Sequence, residues 1–135
     1  MDLSGVSIWA VLASTIVGMA VGALWYSPVL FANPWMEALG KKPDEMGDPM
    51  KAMAAMPFNV IATAIILALL MSSLNLTGVV SGILLGTIVW IGFALTSHVN
   101  LFLFEGRKPI LFLINIGHLW VTYVLMGIVI GLLQA

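Results

Sequence analysis

No cysteine occurs among the 135 residues of this chain, which removes disulfides, thiolate metal sites and cysteine nucleophiles together. Charge is almost as scarce, with five Lys and Arg, six Asp and Glu and two His against 61% hydrophobic residues. A soluble domain carries about a quarter charged residues. A chain this short and this apolar cannot cover its own surface with polar groups, so lipid must be its solvent. The formal net charge of −1 offers no basic surface to nucleic acid. Basic residues are also missing ahead of the first apolar run, where the chain reads Met1-Asp2-Leu3-Ser4. A secretory signal peptide has a basic leader and a short apolar core. Here the apolar run continues from about residue 6 to residue 28, which is long enough to span and reads as a retained helix.

Four such runs are present, at 7–28, 58–76, 79–104 and 109–133. In hydrocarbon every backbone donor must be paired internally, so each run is a helix unless a barrel closes. Strict apolar alternation is absent, which argues against a barrel. The expected architecture is all-α: a polytopic membrane protein whose single domain, 1–135, holds four transmembrane helices. Its basic residues set the orientation. Lys41, Lys42 and Lys51 lie between the first two spans, and Arg107 and Lys108 between the last two. None lies in the N-terminal tail, in the 75–78 turn or at Gln134-Ala135. By the positive-inside rule both charged loops are expected to be cytoplasmic and both termini outside. The triplet Asn75-Leu76-Thr77 is formally a glycosylation sequon, but reads as a helix-end turn tight against the membrane.

The long loop, 32–57, contains two helix starts. Asn33-Pro34 pairs a capping residue with a proline suited to the first helical position. Gly40 fits the left-handed conformation that ends a helix. Trp35, Met36 and Leu39 then form the apolar side of a short interfacial helix. Asp48-Pro49 repeats the start signal for a helix expected to run into the second span, kinked by Pro57. Met46, Met50 and Met53 recur at helical spacing, with Met56 nearby. Thioethers can bind copper(I), but no Cys or His accompanies them, and methionine commonly serves as adaptable packing. The packing reading is preferred.

Small residues four apart let helices approach closely in lipid. Ser14, Gly18 and Gly22 form such a ridge on the first span, Gly78, Gly82 and Gly86 on the third, and Gly127 and Gly131 on the fourth. They serve either packing within one bundle or self-association, and three ridges in so small a chain favour a homo-oligomer. Spans one–two and three–four also share an outline, a glycine-ridged helix, a charged loop and a proline-opened return, which is the pattern of a parallel duplication.

No Asp, Glu, Lys or Arg falls at mid-membrane, which weakens a proton-coupled pump or small multidrug antiporter. His98 and His118 are the titratable groups left there. Folding the last two spans about Arg107 brings the level of His98 near His118, and that of Asn100 near Asn115. These four residues form a candidate polar layer with three readings. One is interhelical hydrogen bonding. A second is the floor of a pocket for a small, weakly polar molecule, its identity unknown. The third is axial ligation of haem by the two histidines, in a membrane oxidoreductase. Two histidines without a third ligand fall short of a zinc site, so neither a metal site nor a catalytic residue is assigned. Glu105 and Arg107 can pair in the second charged turn, between a helix-ending Gly106 and a helix-opening Pro109.

Trp25 and Tyr26 fit the aromatic belt at one end of the first span and Trp9 at the other, while Trp90 and Trp120 lie deeper. Leu24-Trp25-Tyr26-Ser27-Pro28, followed by Phe31 and Trp35, resembles the signature of a bacterial family of small four-span membrane proteins, the DUF1761 group, a domain of unknown function. So do Asn100, Phe104-Glu105-Gly106-Arg107 and Leu113-Ile114-Asn115. The resemblance covers nearly the whole chain. It implies four spans in the bacterial inner membrane and brings no established activity and no functional residues. The expectation is therefore a non-enzymatic helical bundle without a cofactor. It binds or passes a small molecule, or else supports another membrane protein.

Overall fold

The computed structural model describes residues 1–134, and its regular elements are all helical. A 3-10 turn, Leu3–Gly5, is capped by the Asp2 side chain. Helix α1, Ile8–Trp25, starts behind Ser7, whose hydroxyl accepts from the Ala10 amide at 3.3 Å. The chain then turns back sharply: the amide of Phe31 donates to the Trp25 carbonyl and that of Ala32 to the Ser27 carbonyl, at 3.0 and 3.1 Å. These bonds start α2, Ala32–Leu39, before Asn33 is reached. Phe31 stands at its N-cap without a side-chain bond, so Asn33 does not cap it as its pairing with Pro34 implied. Gly40 ends α2 at φ 67°.

Helix α3, Pro49–Ser73, begins where Asp48-Pro49 places it, the Asp48 carboxylate accepting from the Met50 amide at 2.9 Å. It runs on through Pro57 as one helix. The next rod is less regular. Helix α4, Gly78–Val89, passes into a π-helical turn, Trp90–Leu95, and resumes as α5, Thr96–Glu105. Nothing in the hydrophobic pattern announces that turn. Gly106, at φ 64°, ends α5 in a conformation strained for any residue with a Cβ, and Pro109 opens α6, Pro109–Leu133. Four rods, Ile8–Trp25, Pro49–Ser73, Gly78–Glu105 and Pro109–Leu133, are long and apolar enough to cross a membrane. The chain is a multi-pass membrane protein.

Helix α6 is the centre of the bundle. It packs extensively against α4 on one side and α1 on the other, and α3 reaches the bundle chiefly through α1. The seam with α4 is glycine on glycine. A Cβ on Gly82 would fall onto the Gly127 carbonyl, one on Gly131 onto that of Gly78, and one on Gly86 would lie 2.6 Å from the Tyr123 carbonyl oxygen. Two of the three small-residue ridges therefore meet inside one chain. The third turns inward too: Ser14 is buried with its hydroxyl on the Val11 carbonyl, and a Cβ on Gly18 would meet Met126 and Val60 at 2.8 Å.

The buried core, which includes Ala10, Ala64, Leu67, Met71, Met126 and Ile130, lies toward the end of the bundle that holds the termini. There Gln134 accepts from the Ser7 amide at 3.0 Å and donates to the Ala68 carbonyl at 2.7 Å, joining α6, α1 and α3. The opposite end carries α2 and the charged loops. Every buried residue of α3 (Ala64, Leu67, Ala68, Met71) belongs to its second half, and Met50, Met53, Met56 and Phe58 in the first half are exposed. Helix α3 thus stands off from its neighbours toward the charged end.

Candidate functional site

The site grows from the end of α1. Trp25 reaches across to α6, its indole N–H donating to the Ile114 carbonyl at 3.0 Å. Tyr26, the next residue, donates its hydroxyl to Asn115 Oδ1 at 2.8 Å. The backbone turn beyond Tyr26 brings Phe31 within 4.7 Å of the Trp25 ring and Trp35 within 5.2 Å of the Tyr26 ring, centroid to centroid. Between the two α1 aromatics and α6 sits the imidazole of His118, 5.1 Å from Tyr26 edge to face and 6.3 Å from Trp25. From the other flank Trp90 donates to the Ile116 carbonyl at 2.9 Å. Two indoles, one from α1 and one from the π-helical turn, thus bond carbonyls of a single turn of α6 just before the imidazole.

Where α3 stands off, a cleft of about 470 Å³ opens between α1, α3 and α6. Gly18 and Gly22 make its α1 wall, Asn59, Val60 and Thr63 its α3 wall, and His118, Thr122, Tyr123 and Met126 its α6 wall. Among the described residues no Asp, Glu, Lys or Arg lines it. Gly22 keeps the imidazole accessible, because even a Cβ there would lie 3.4 Å from Nε2. A periodic device recurs on the two facing helices. Thr63 donates back to the Asn59 carbonyl at 3.1 Å, and Thr122 to the His118 carbonyl at 2.7 Å, so each threonine is satisfied by its own helix. The side chains of His118, Asn59 and Tyr123, by contrast, make no hydrogen bond among the described residues. Asn59 is exposed and His118 and Tyr123 are half-buried, so all three polar groups stay open to whatever fills the cleft.

The four polar residues singled out from sequence are distributed as follows. His118 lines the cleft. Asn115, three residues earlier, is occupied by Tyr26 and borders a second cavity nearer the charged end. His98 places Nδ1 2.9 Å from the Ala94 carbonyl of its own rod, and Asn100 is exposed on α5. The two histidines therefore do not share one cavity, and no cluster of three or more His, Cys, Asp or Glu suited to a metal occurs among the described residues. Glu105 and Arg107 do pair, Oε2 to Nε at 2.7 Å. Ser27 of the W-Y-S-P element bonds the Leu24 carbonyl at 2.6 Å, and Pro28 follows at an exposed position of the turn.

Sequence reasoning passed over Asn59, Thr63 and Tyr123. The available signal was a lone asparagine inside an apolar run with threonine four residues on, the same spacing as His118 and Thr122. Behind Thr63 and Tyr123 lies an apolar groove of about 410 Å³ between α3 and the α4 side of the bundle, lined by Ile66, Leu70, Val89 and Phe93. Those two residues line both spaces and form the partition between them.

The class defined by this geometry is a small multi-pass helical bundle, wound about one central helix and indented on one flank by an uncharged cleft. The model of the family described as "Protein of unknown function (DUF1761)" matches residues 9–131, and the chain belongs to that family. No curated protein and no solved structure matches it.

Proposed function

We propose that the cleft between α1, α3 and α6 binds a small, neutral, membrane-soluble molecule bearing a carbonyl or hydroxyl group. The observation that carries this reading is the set of three polar side chains, His118, Asn59 and Tyr123, which face one cleft without a protein hydrogen-bond partner among the described residues. Its volume of about 470 Å³ falls within the roughly 300–1,000 Å³ of small-molecule sites, which are mostly apolar with a few placed polar groups. The uncharged lining selects against ions, whose transfer into such a space is costly without a counter-charge. Asn59 offers both donor and acceptor, Tyr123 a hydroxyl and His118 either role according to tautomer.

The charged loops support a cytoplasmic placement for 32–57 and 106–108, with both termini on the other face, and the resemblance to a bacterial family supports the inner membrane as the site. The glycine ridges of α4 and α6 lend no support to self-association, because they fill one another within the chain, and Gly18 of α1 faces Met126 and Val60.

The test uses a membrane-soluble naphthoquinone as probe, titrated into the purified protein in detergent micelles while tryptophan emission is followed. Trp25 lies 6.3 Å from His118, so a probe in the cleft quenches it saturably. His118→Ala and Asn59→Leu each weaken binding about fivefold or more, the loss of one hydrogen bond of about 1 kcal/mol, with the unfolding midpoint nearly unchanged. Linear, non-saturable quenching that is identical in all three proteins would sink the proposal.

A further inference from the structure

The second cavity, at the charged end, has a different chemistry from the cleft. It measures about 500 Å³ and lies where α2, the 106–108 turn and the start of α6 meet. Its walls divide by type: Trp35, Leu39 and Leu111 are apolar, while Arg107 and Lys108 supply two cations. The one acid bonded to them, Glu105, engages Arg107 through Nε at 2.7 Å. Lys108 has no acidic partner among the described residues, so the cavity keeps a net positive charge. Glu37 on α2 is exposed and does not line it.

Position decides what such a cavity meets. The rods that flank it, Gly78–Glu105 and Pro109–Leu133, end and begin at Glu105 and Pro109, so Arg107 and Lys108 lie at a membrane surface whichever way the bundle is oriented. Lipid phosphates are concentrated at that level. Basic pockets between membrane helices are suited to anionic headgroups, and arginine and lysine are the side chains that pair with phosphate. Trp35 is the residue type that sits at headgroup depth. The apolar side, Leu39 with Leu111, gives an acyl chain a surface to lie against. We infer that this cavity is a binding site for the phosphate group of an anionic phospholipid, seated between Arg107 and Lys108 with its chain against Leu39 and Leu111. The site is separate from the cleft and stands or falls independently of it.

Native mass spectrometry of the whole protein tests this, with phosphatidylglycerol or phosphatidylcholine of the same chains added to detergent micelles. The first phosphatidylglycerol is expected to bind about fivefold more tightly than the first phosphatidylcholine, the scale of one net surface cation. The double variant R107Q/K108Q removes that preference. Ala38→Trp, which fills the cavity and leaves both cations in place, removes it as well. The control K41Q/K42Q, whose lysines are exposed outside the cavity, keeps it. Equal affinity for the two lipids in the wild type overturns the proposal. So does an equal loss in the control, which would mark a diffuse surface charge, or persistence of the preference in Ala38→Trp. Displacement of the lipid by millimolar inorganic phosphate would also overturn it, by showing a site for the free anion in which the acyl chain counts for nothing.

Discussion

Trp25 and Trp90 both donate to backbone carbonyls of α6, at Ile114 and Ile116, which are among the few polar contacts that cross between rods. A carbonyl within a helix already accepts from the amide four residues on, so each indole adds a second bond to a used acceptor. The gain is positional more than energetic, because it fixes the rotation of α6 and thereby the direction in which His118 points. Trp25→Phe keeps the ring and loses the donor. It is expected to cost about 1 kcal/mol of stability in an SDS-unfolding titration, and to weaken quinone binding, followed by equilibrium dialysis because the reporting indole is gone, by more than that loss alone explains, since the imidazole loses its registration. Residue identity made the aromatic cluster legible in part: Trp25, Tyr26 and Trp35 stand out in a chain so poor in distinctive groups. That Tyr26 would take Asn115, leaving His118 free, was not legible. It depends on which of two polar residues three apart lies opposite the end of α1, and that in turn depends on how α1 and α6 cross.

For the elements, the strongest determinant is the glycine seam between α4 and α6. Gly82→Leu drives a side chain into the backbone of Gly127, and overpacking of this kind costs about 3 kcal/mol or more. It should therefore yield a protein that no longer shows a cooperative SDS-unfolding transition. Gly92→Ala, where an added Cβ meets nothing within 4 Å, is the matched contrast. It is expected to be neutral or to stabilise by up to about 1 kcal/mol, because alanine holds helix better than glycine. Asp48→Ala removes the cap of α3 at a cost of about 1 kcal/mol, confined to the first turn. The expected readout is faster hydrogen exchange at Met50 with quinone affinity intact. Composition and spacing revealed the four rods, the Asp48-Pro49 start and the left-handed glycines at 40 and 106, because each rests on local chemistry. The π-helical turn at Trp90–Leu95 stayed hidden, since one extra residue in a uniformly apolar run leaves no mark on the pattern. So did the partnering of the ridges, because four-residue spacing reports closeness without naming the neighbour.

The whole molecule has a sharp polarity along its long axis. One end is dry and cross-tied, with Gln134 binding to Ser7 and Ala68. The other is looser, with α3 standing away from α6 and the cations gathered in the loops and the first turn of α3. A chain without cysteine suits site-directed labelling. Glu45→Cys and Glu105→Cys are expected to react with a membrane-impermeant maleimide from the same side, and Asn75→Cys from the opposite one. Labelling of 45 and 105 from opposite faces would contradict the orientation proposed. The cleft was the least legible feature of all. It arises from the stand-off of α3, and no property of residues 49–63 announces that their helix leaves the bundle.

The central place of α6 has a consequence for synthesis. Of the three rods made before it, α1 and α3 already pack on each other, but α4 scarcely meets α3 and its glycine face has its partner in α6. Until the ribosome has delivered residues 109–133, α4 waits in the bilayer apart from the α1–α3 pair, and assembly closes onto a late-arriving axle.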